Sequence, residues 1–259
     1  MFDRIVEKIL QKYKYDFVHT KKSKSTMLDV KNYLQKNKKN CIYLTDQQSD
    51  GKGQRGNAWH SPLGNIYCSI SFDNFLDIKE HFLFSALIGV TIQMTLKKFD
   101  IHHIFFKWPN DVFYKKKKFA GIISEIININ QTTSHVIIGF GINFSSAPEI
   151  NKYKTTYLKS FSNIKSIDEF LLVFIEILFF NLMEMKKGKI NELVLVFSKY
   201  LMFMNQNIKI MCSNSIVKKG IFRGINNDGS LKLEKFQKIE NIYNGIQKRC
   251  TISSPKTIF

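Results

Sequence analysis

The sequence predicts an α/β (α+β) fold, a mixed sheet with packed helices followed by a small β-barrel, on two observations. Up to about residue 204, strand-length runs rich in Ile, Val, Tyr and Phe alternate with longer helix-compatible stretches. Beyond that point the texture changes to short apolar runs separated by turn signals. Two units are expected, residues 1–204 and 205–259, because a chain of 259 residues buries a full core and leaves enough for a small second one.

Taken in order, Met27 to Gln35 carries a helix-compatible pattern, Cys41 to Thr45 and Asn65 to Phe72 read as strands, and Glu80 to Phe99 as a longer helix. Ala120 to Ile127 and His135 to Asn143 are strands by their β-branched content. Ser166-Ile167-Asp168-Glu169 is a capping-box pattern opening onto the apolar run Phe170 to Met183, which Glu176 and Asn181 interrupt; a buried helix is expected, not an anchor. Asn191 to Met204 predicts one more helix. The tail holds the short runs Ile208 to Cys212, Ser215 to Arg223, Leu231 to Glu234 and Ile246 to Ile252, with Asn227-Asp228-Gly229 as its clearest turn.

With 44% hydrophobic and 23% charged residues the chain is globular. The net charge of +18 invites a nucleic-acid partner, but only Arg4, Arg55, Arg223 and Arg249 among 39 basic residues are arginine, the residue that reads phosphates and bases bidentately. Abundant Lys, Asn, Ile and Phe make the charge compositional, so neither a nucleic-acid nor a membrane partner is expected. Cys41, Cys68, Cys212 and Cys250 lie far apart with no histidine at ligand spacing, and Met1 to Tyr15 has no secretory apolar region. A reduced, cytoplasmic protein is expected.

Three clusters carry possible chemistry. Gly51-Lys52-Gly53-Gln54-Arg55-Gly56, leading into Trp59, puts glycines and two cations where backbone amides approach an anion; it is neither a Walker A nor a dinucleotide turn, and a plain surface loop reads the same. Lys107-Trp108-Pro109-Asn110-Asp111 offers an amide and a carboxylate for Mg²⁺, or simply a turn between strands. Lys118, closing a lysine run, is by itself a solvated charge. Gly139-Phe140-Gly141-Ile142-Asn143 ends a strand with glycines where a ligand comes close, or where a bulge sits. His60, beside Trp59, has no evident acid/base partner, and His102-His103 no metal companion.

In this order Gln48, Gly51 to Gly56, Trp59 with Ser61-Pro62, Lys107 to Asp111, Lys118 with Ala120-Gly121, and Gly139 to Asn143 resemble the signature of biotin protein ligases. The ordered set covers roughly the central half of the chain, reaching Ser25-Thr26 upstream and, in Gly220 to Leu233, the family's small C-terminal domain. Met27 stands where the family usually has Asn, and Lys52 where it has Arg.

The resemblance implies a class II aminoacyl-tRNA synthetase/biotin ligase-like catalytic domain, then an SH3-like barrel. It implies activation of biotin by ATP with Mg²⁺, and transfer to a lysine of a biotin carboxyl carrier protein domain, by a monomer or homodimer of the monofunctional class. Lys118, Arg55 and Lys52 are the implied catalytic residues. Ser25, Thr26, Gln48, Gly51, Lys52, Gly53, Gln54, Lys118 and Gly121 are implied to bind biotin. Arg55, Gly56, Trp59, Lys107, Asn110, Asp111, Gly139, Gly141 and Asn143 would serve ATP and the adenylate, with Asn110 and Asp111 on magnesium. A lipoate or octanoate ligase on the same fold and a basic nucleic-acid-binding module are the competing readings.

Overall fold

The computed structural model describes residues 2–128, 134–151, 153–212, 216–243 and 245–249. Helix α1 (Phe2–Gln11) precedes β1 (Asp16–Thr20), α2 (Thr26–Asn37), β2 (Cys41–Thr45), β3 (Ile66–Asp73), α3 (Phe82–Lys98), β4 (Ile104–Lys107), β5 (Asp111–Tyr114), β6 (Lys117–Asn128) and β7 (Ser134–Ile142). Helices α4 (Ile167–Lys186) and α5 (Ile190–Lys199) lead to β8 (Asn207–Met211), β9 (Val217–Ile225), β10 (Leu231–Lys235), β11 (Lys238–Ile242) and β12 (Ile246–Arg249).

The first seven strands form one sheet in the order β1-β2-β3-β7-β6-β5-β4. Only β1 and β2 are parallel, joined through α2; every other neighbouring pair is antiparallel, so the sheet is mixed as expected. Alternation along the strands sorts the core onto two faces. Ile42, Ile70, Val136 and Ile138 face α3 and α4 in the main core, whereas Cys41 and Ile137 face Val30 and Leu34 of α2. The α2 face carries the site.

Helix α3 is buried almost all round, as its uniformly apolar sequence requires, and Gly89 lets the Phe106 and Phe197 rings approach its backbone. Ser166 caps α4 by accepting the Glu169 amide at 3.1 Å, while Glu169 reaches back to the amide of Lys165 instead of that of Ser166. No helix among the described residues is long and apolar enough to cross a membrane.

Three expectations are corrected. Strands β1, β4, β5 and β11 were not foreseen; the cluster Lys107 to Asp111 takes the second of its two expected readings, a turn between strands, in the β4–β5 hairpin, with Lys107 paired to Asp111 and a cis Trp108–Pro109 bond. The last helix stops at Lys199 instead of Met204, because the chain turns to cover the edge of β4: the Phe106 amide donates to Tyr200 O and the Met202 amide to Phe106 O, each at 2.8 Å. The C-terminal strands make an open antiparallel sheet, β11-β10-β9-β8-β12, and not a closed barrel; β12 joins β8, which leaves β11 and β12 at opposite edges among the described residues. Ser215 and residues 250–252 of the expected runs lie outside the described residues.

The small sheet rests on the large one through the turn expected at Asn227 to Gly229. Asp228 accepts the Ser230 amide and hydroxyl, and Gly229 takes φ +80°. A Cβ there would stand 2.1 Å from the Phe82 ring, so only glycine fits. The indole N–H of Trp108, 1% exposed, donates to Gly229 O at 3.1 Å.

One side chain ties β3 to the turn that follows β7. Buried Asn65 accepts the amides of Phe144, Ser145 and Ser146 at 2.9, 2.9 and 3.2 Å and donates to Ser146 O at 3.1 Å. Asn65→Ala leaves the Phe144 and Ser146 amides without this acceptor, while that of Ser145 keeps Gly64 O at 3.2 Å, and is expected to cost roughly 3 kcal/mol, read as a Tm fall of roughly 6–10 °C in thermal unfolding. A Tm within a degree of wild type would show that the turn holds without Asn65.

Candidate active site

Glycines build the floor. Gly139 and Gly141 alternate on the α2 face of β7, and Gly121 of β6 lies directly across from Gly141. The missing side chains leave a trough that larger neighbours enter. A Cβ at Gly141 would stand 2.3 Å from Trp59 Nε1, one at Gly121 2.8 Å from the same ring, and one at Gly139 2.7 Å from Met27 Sδ. The indole of Trp59 therefore lies flat on the backbone of two strands. Its Nε1 is buried and has no hydrogen-bond partner, an unsatisfied donor at the centre of the cleft.

One wall is a polar relay. Ser69 of β3 and Thr26 of α2 share a 2.7 Å hydroxyl contact, and Gln48 Oε1 accepts from the Thr26 amide at 2.9 Å and hydroxyl at 3.2 Å. On the other side of Gln48, Nε2 donates to Ser61, whose hydroxyl donates to Trp59 O at 3.0 Å. Donors and acceptors thus run without a break from the sheet to the glycine loop. Ser25, Met27, Lys52, Gly53 and Gln54 line the same cleft. Ser61 was named from the sequence only as part of the family signature and Ser69 was not singled out at all; polar Ser69 in an apolar strand was the available signal.

Lys118 stands at the far end. Its side chain is 12% exposed and its ammonium lies 2.6 Å from Asp111 Oδ1. Strand register explains the meeting: Asp111 pairs with Gly121 and Phe113 with Lys118, across a bulge in the β5–β6 ladder. Lys118 is therefore an enclosed, paired cation and not a solvated one. It lines both the cleft and a second cavity, formed with Ala58, Trp59, His60, Asn143, Pro148, Tyr153 and Thr155. Asn143 is held there by donating to Thr156 O at 3.2 Å.

The glycine loop folds back on itself. The Trp59 amide donates to Gly51 O and the Gly53 amide to Asn57 O, both at 2.7 Å, which makes the loop a small hairpin. Gly51 lies beneath it: a Cβ would meet Trp59 O at 2.5 Å, so its part is to let the loop close on itself. Arg55, in left-handed backbone (φ 56°), donates to Met211 O of β8 at 3.1 Å and lines a groove beside the cleft together with Ser25, Met27, Lys52, Gly53 and Gln54. The structure brings neither Arg55 nor Gly56 into the cleft lining, and Lys107 ends β4 outside both cavities.

Asn110 and Asp111 do not fit a magnesium site of their own. Asn110 Nδ2 donates to Ile122 O at 2.9 Å, which staples the hairpin turn to β6, and the Asp111 carboxylate is already matched to the Lys118 ammonium. Among the described residues no group of three His, Cys, Asp or Glu side chains could hold a metal ion. Cysteine chemistry is no better placed, since burial, and then Asp16, pushes the Cys41 thiol up to about 12.

A family model described as the biotin/lipoate A/B protein ligase family matches residues 17–143. Those residues are a biotin/lipoate ligase domain. Its bounds take in the glycine floor, the relay, the glycine loop and the Lys118–Asp111 pair. The chain is 31% identical over 103 residues to the bifunctional ligase/repressor BirA of Escherichia coli, which covers 39% of this chain and 32% of that protein. Against the biotin--[acetyl-CoA-carboxylase] ligase of Paracoccus denitrificans it is 28% identical over 108 residues, 41% of this chain and 45% of the relative. The match thus spans about a third of the length of BirA. Among solved structures, the biotin protein ligase of Aquifex aeolicus in complex with biotin and ATP superposes with a TM-score of 0.73 over 91% of this chain and 99% of that one, at 23% identity. A point mutant of the same Aquifex aeolicus ligase in complex with biotin gives 0.77 at 21% identity over the same shares. The fold of the biotin/lipoate ligase domain, together with the C-terminal strands, is therefore that of these ligases.

The floor gives a direct test. Gly141→Ala places a methyl group inside the indole of Trp59, so the ring must leave the trough, and a red shift of several nanometres in tryptophan emission is expected. Trp108, the other tryptophan, is buried elsewhere and supplies a constant background. An emission spectrum identical to wild type would mean that the indole does not rest on this floor.

Proposed function

We propose that the chain activates biotin with ATP to biotinyl-5′-adenylate and pyrophosphate, then transfers the biotinyl group to a lysine of a biotin carboxyl carrier domain. The observation that carries this reading is the place of Lys118, one enclosed cation lining both the polar, glycine-floored cleft and the cavity beyond it. A two-part ligand joined at a phosphate needs a positive charge at such a junction. Relatives described as biotin ligases and neighbours solved with biotin and ATP support the choice of substrates.

The relay of Ser69, Thr26 and Gln48 offers hydrogen bonds to the polar head of biotin, and the glycine floor lets its body lie against backbone. A carboxylate oxygen then attacks the α-phosphorus, the bond to the β-phosphate oxygen breaks, and pyrophosphate leaves with that electron pair. In the second step the acceptor amine attacks the acyl carbon, AMP departs, and the amine gives up a proton. Neither step requires a side-chain nucleophile, so catalysis rests on alignment and charge. Lys118, fixed by Asp111, supplies positive charge at the phosphate; Trp59 brings an indole ring and an unpaired N–H to the same place; Lys52 stands at the cleft rim. No step is assigned to a protein-held metal.

The test is ATP- and biotin-dependent labelling of a carrier domain, with pyrophosphate release measured in parallel. Wild type is expected to label the carrier, and Lys118→Ala to lose roughly 10²–10³-fold in the rate of pyrophosphate release at a temperature where it remains folded, its unfolding midpoint lowered by the unpaired Asp111. Lipoate or octanoate replaces biotin in a second arm. Labelling by these acids but not by biotin would move the chain to the other branch of its family, and no labelling by any of them would overturn the proposal.

A further inference from the structure

Lys118 is enclosed by more than its carboxylate. Its ammonium lies 5.3 Å from the centroid of the Trp59 ring and 5.3 Å from that of Tyr153, with Asp111 Oδ1 at 2.6 Å closing a third side. The two rings come from different parts of the chain. Trp59 ends the glycine loop, whereas Tyr153 belongs to the segment that walls the second cavity. That segment is joined to the lysine itself: the Lys118 amide donates to Lys154 O and the Thr156 amide to Lys118 O, each at 2.9 Å. Thr155 fixes the base of the wall by donating to Pro148 O at 2.6 Å.

We infer that Tyr153 is a positioning residue for Lys118, an aromatic face that holds the ammonium at the junction of the two cavities. The inference rests on the role given to Lys118 above. A lysine side chain has four rotatable bonds, and one carboxylate fixes the distance of its head group but not its direction. Two ring faces restrict the direction, because the negative face of each attracts the cation. Of the two rings, that of Tyr153 is tied to the lysine itself, since its segment is hydrogen-bonded to the Lys118 backbone on both sides. The work asked of Tyr153 needs its ring and not its hydroxyl.

The experiment compares Tyr153→Leu and Tyr153→Phe with wild type, and adds Tyr153→Met as a second variant without a ring. Pyrophosphate release at varied biotin gives kcat and KM separately. The variants without a ring are expected to lose about fivefold in kcat with less than a twofold change in KM for biotin, and Phe to restore kcat to near wild type. A structural role alone predicts instead a lower unfolding midpoint and no rescue confined to kcat. In a second arm the ligand-free protein is acylated with a small anhydride at fixed pH, and labelling of Lys118 is followed by mass spectrometry against other lysines as internal standards. Loss of the ring is expected to raise Lys118 labelling about fivefold in Leu and Met but not in Phe. Equal labelling in all four proteins, or an equal loss of kcat in Phe and Leu, overturns the inference. Should wild type release no pyrophosphate, the proposed function falls while the labelling arm still decides the role of Tyr153.

Discussion

The absence of three side chains governs the site. Gly121, Gly139 and Gly141 cluster on one face of the two central strands, where any Cβ would collide with Trp59 or Met27. Everything else is arranged around that trough. Met27 and the hydroxyl of Thr26 reach it from the start of α2, Trp59 lies down in it from the glycine loop, and Lys118 overlooks it from its own strand. Interior strands are ordinarily filled by their own side chains; here Trp59 and Met27, reaching in from neighbouring elements, take that place against bare backbone.

Charge is distributed with similar restraint. The chain has a large positive excess, yet one enclosed ammonium, Lys118, borders both cavities, and its carboxylate partner comes from the neighbouring hairpin. Pairing an enclosed cation limits the cost of removing it from water while leaving its field directed into the open cavities. The most suggestive arginine behaves otherwise: Arg55 commits its guanidinium to a backbone carbonyl of the small sheet.

Much of this was legible in the sequence where a local signal and its structural cause coincide. Cys41 to Thr45 appears as a strand with the expected bounds, because five apolar or β-branched residues in a row leave no other choice. Ser166 announced α4 through a cap that depends on residues three apart. The glycines of the site were conspicuous for the same reason, since glycine in a strand always asks for an explanation. What could not be read is what depends on distant partners. Strands β4 and β5 are four residues each, too short for a periodic pattern, and take their pairing from each other. Arg55 looked like an anion ligand because its neighbours are glycines, and its partner Met211 is far along the chain. Trp108, read as part of a chemical motif, is a structural contact. Tyr153 carries no motif and gains meaning only once its segment is laid beside Lys118.

That contact of Trp108 bears on how the chain can be divided. The indole donates to Gly229 O, and the Phe82 ring lies where a side chain on Gly229 would be. A chain cut before Asn205 would keep every residue of the glycine floor, yet it would uncover two large aromatic rings side by side on the outside of the hairpin that bears Asp111. An isolated fragment of that kind presents a sticky apolar surface close to the Lys118–Asp111 pair, so the small sheet serves the larger one as a cover as much as a separate module.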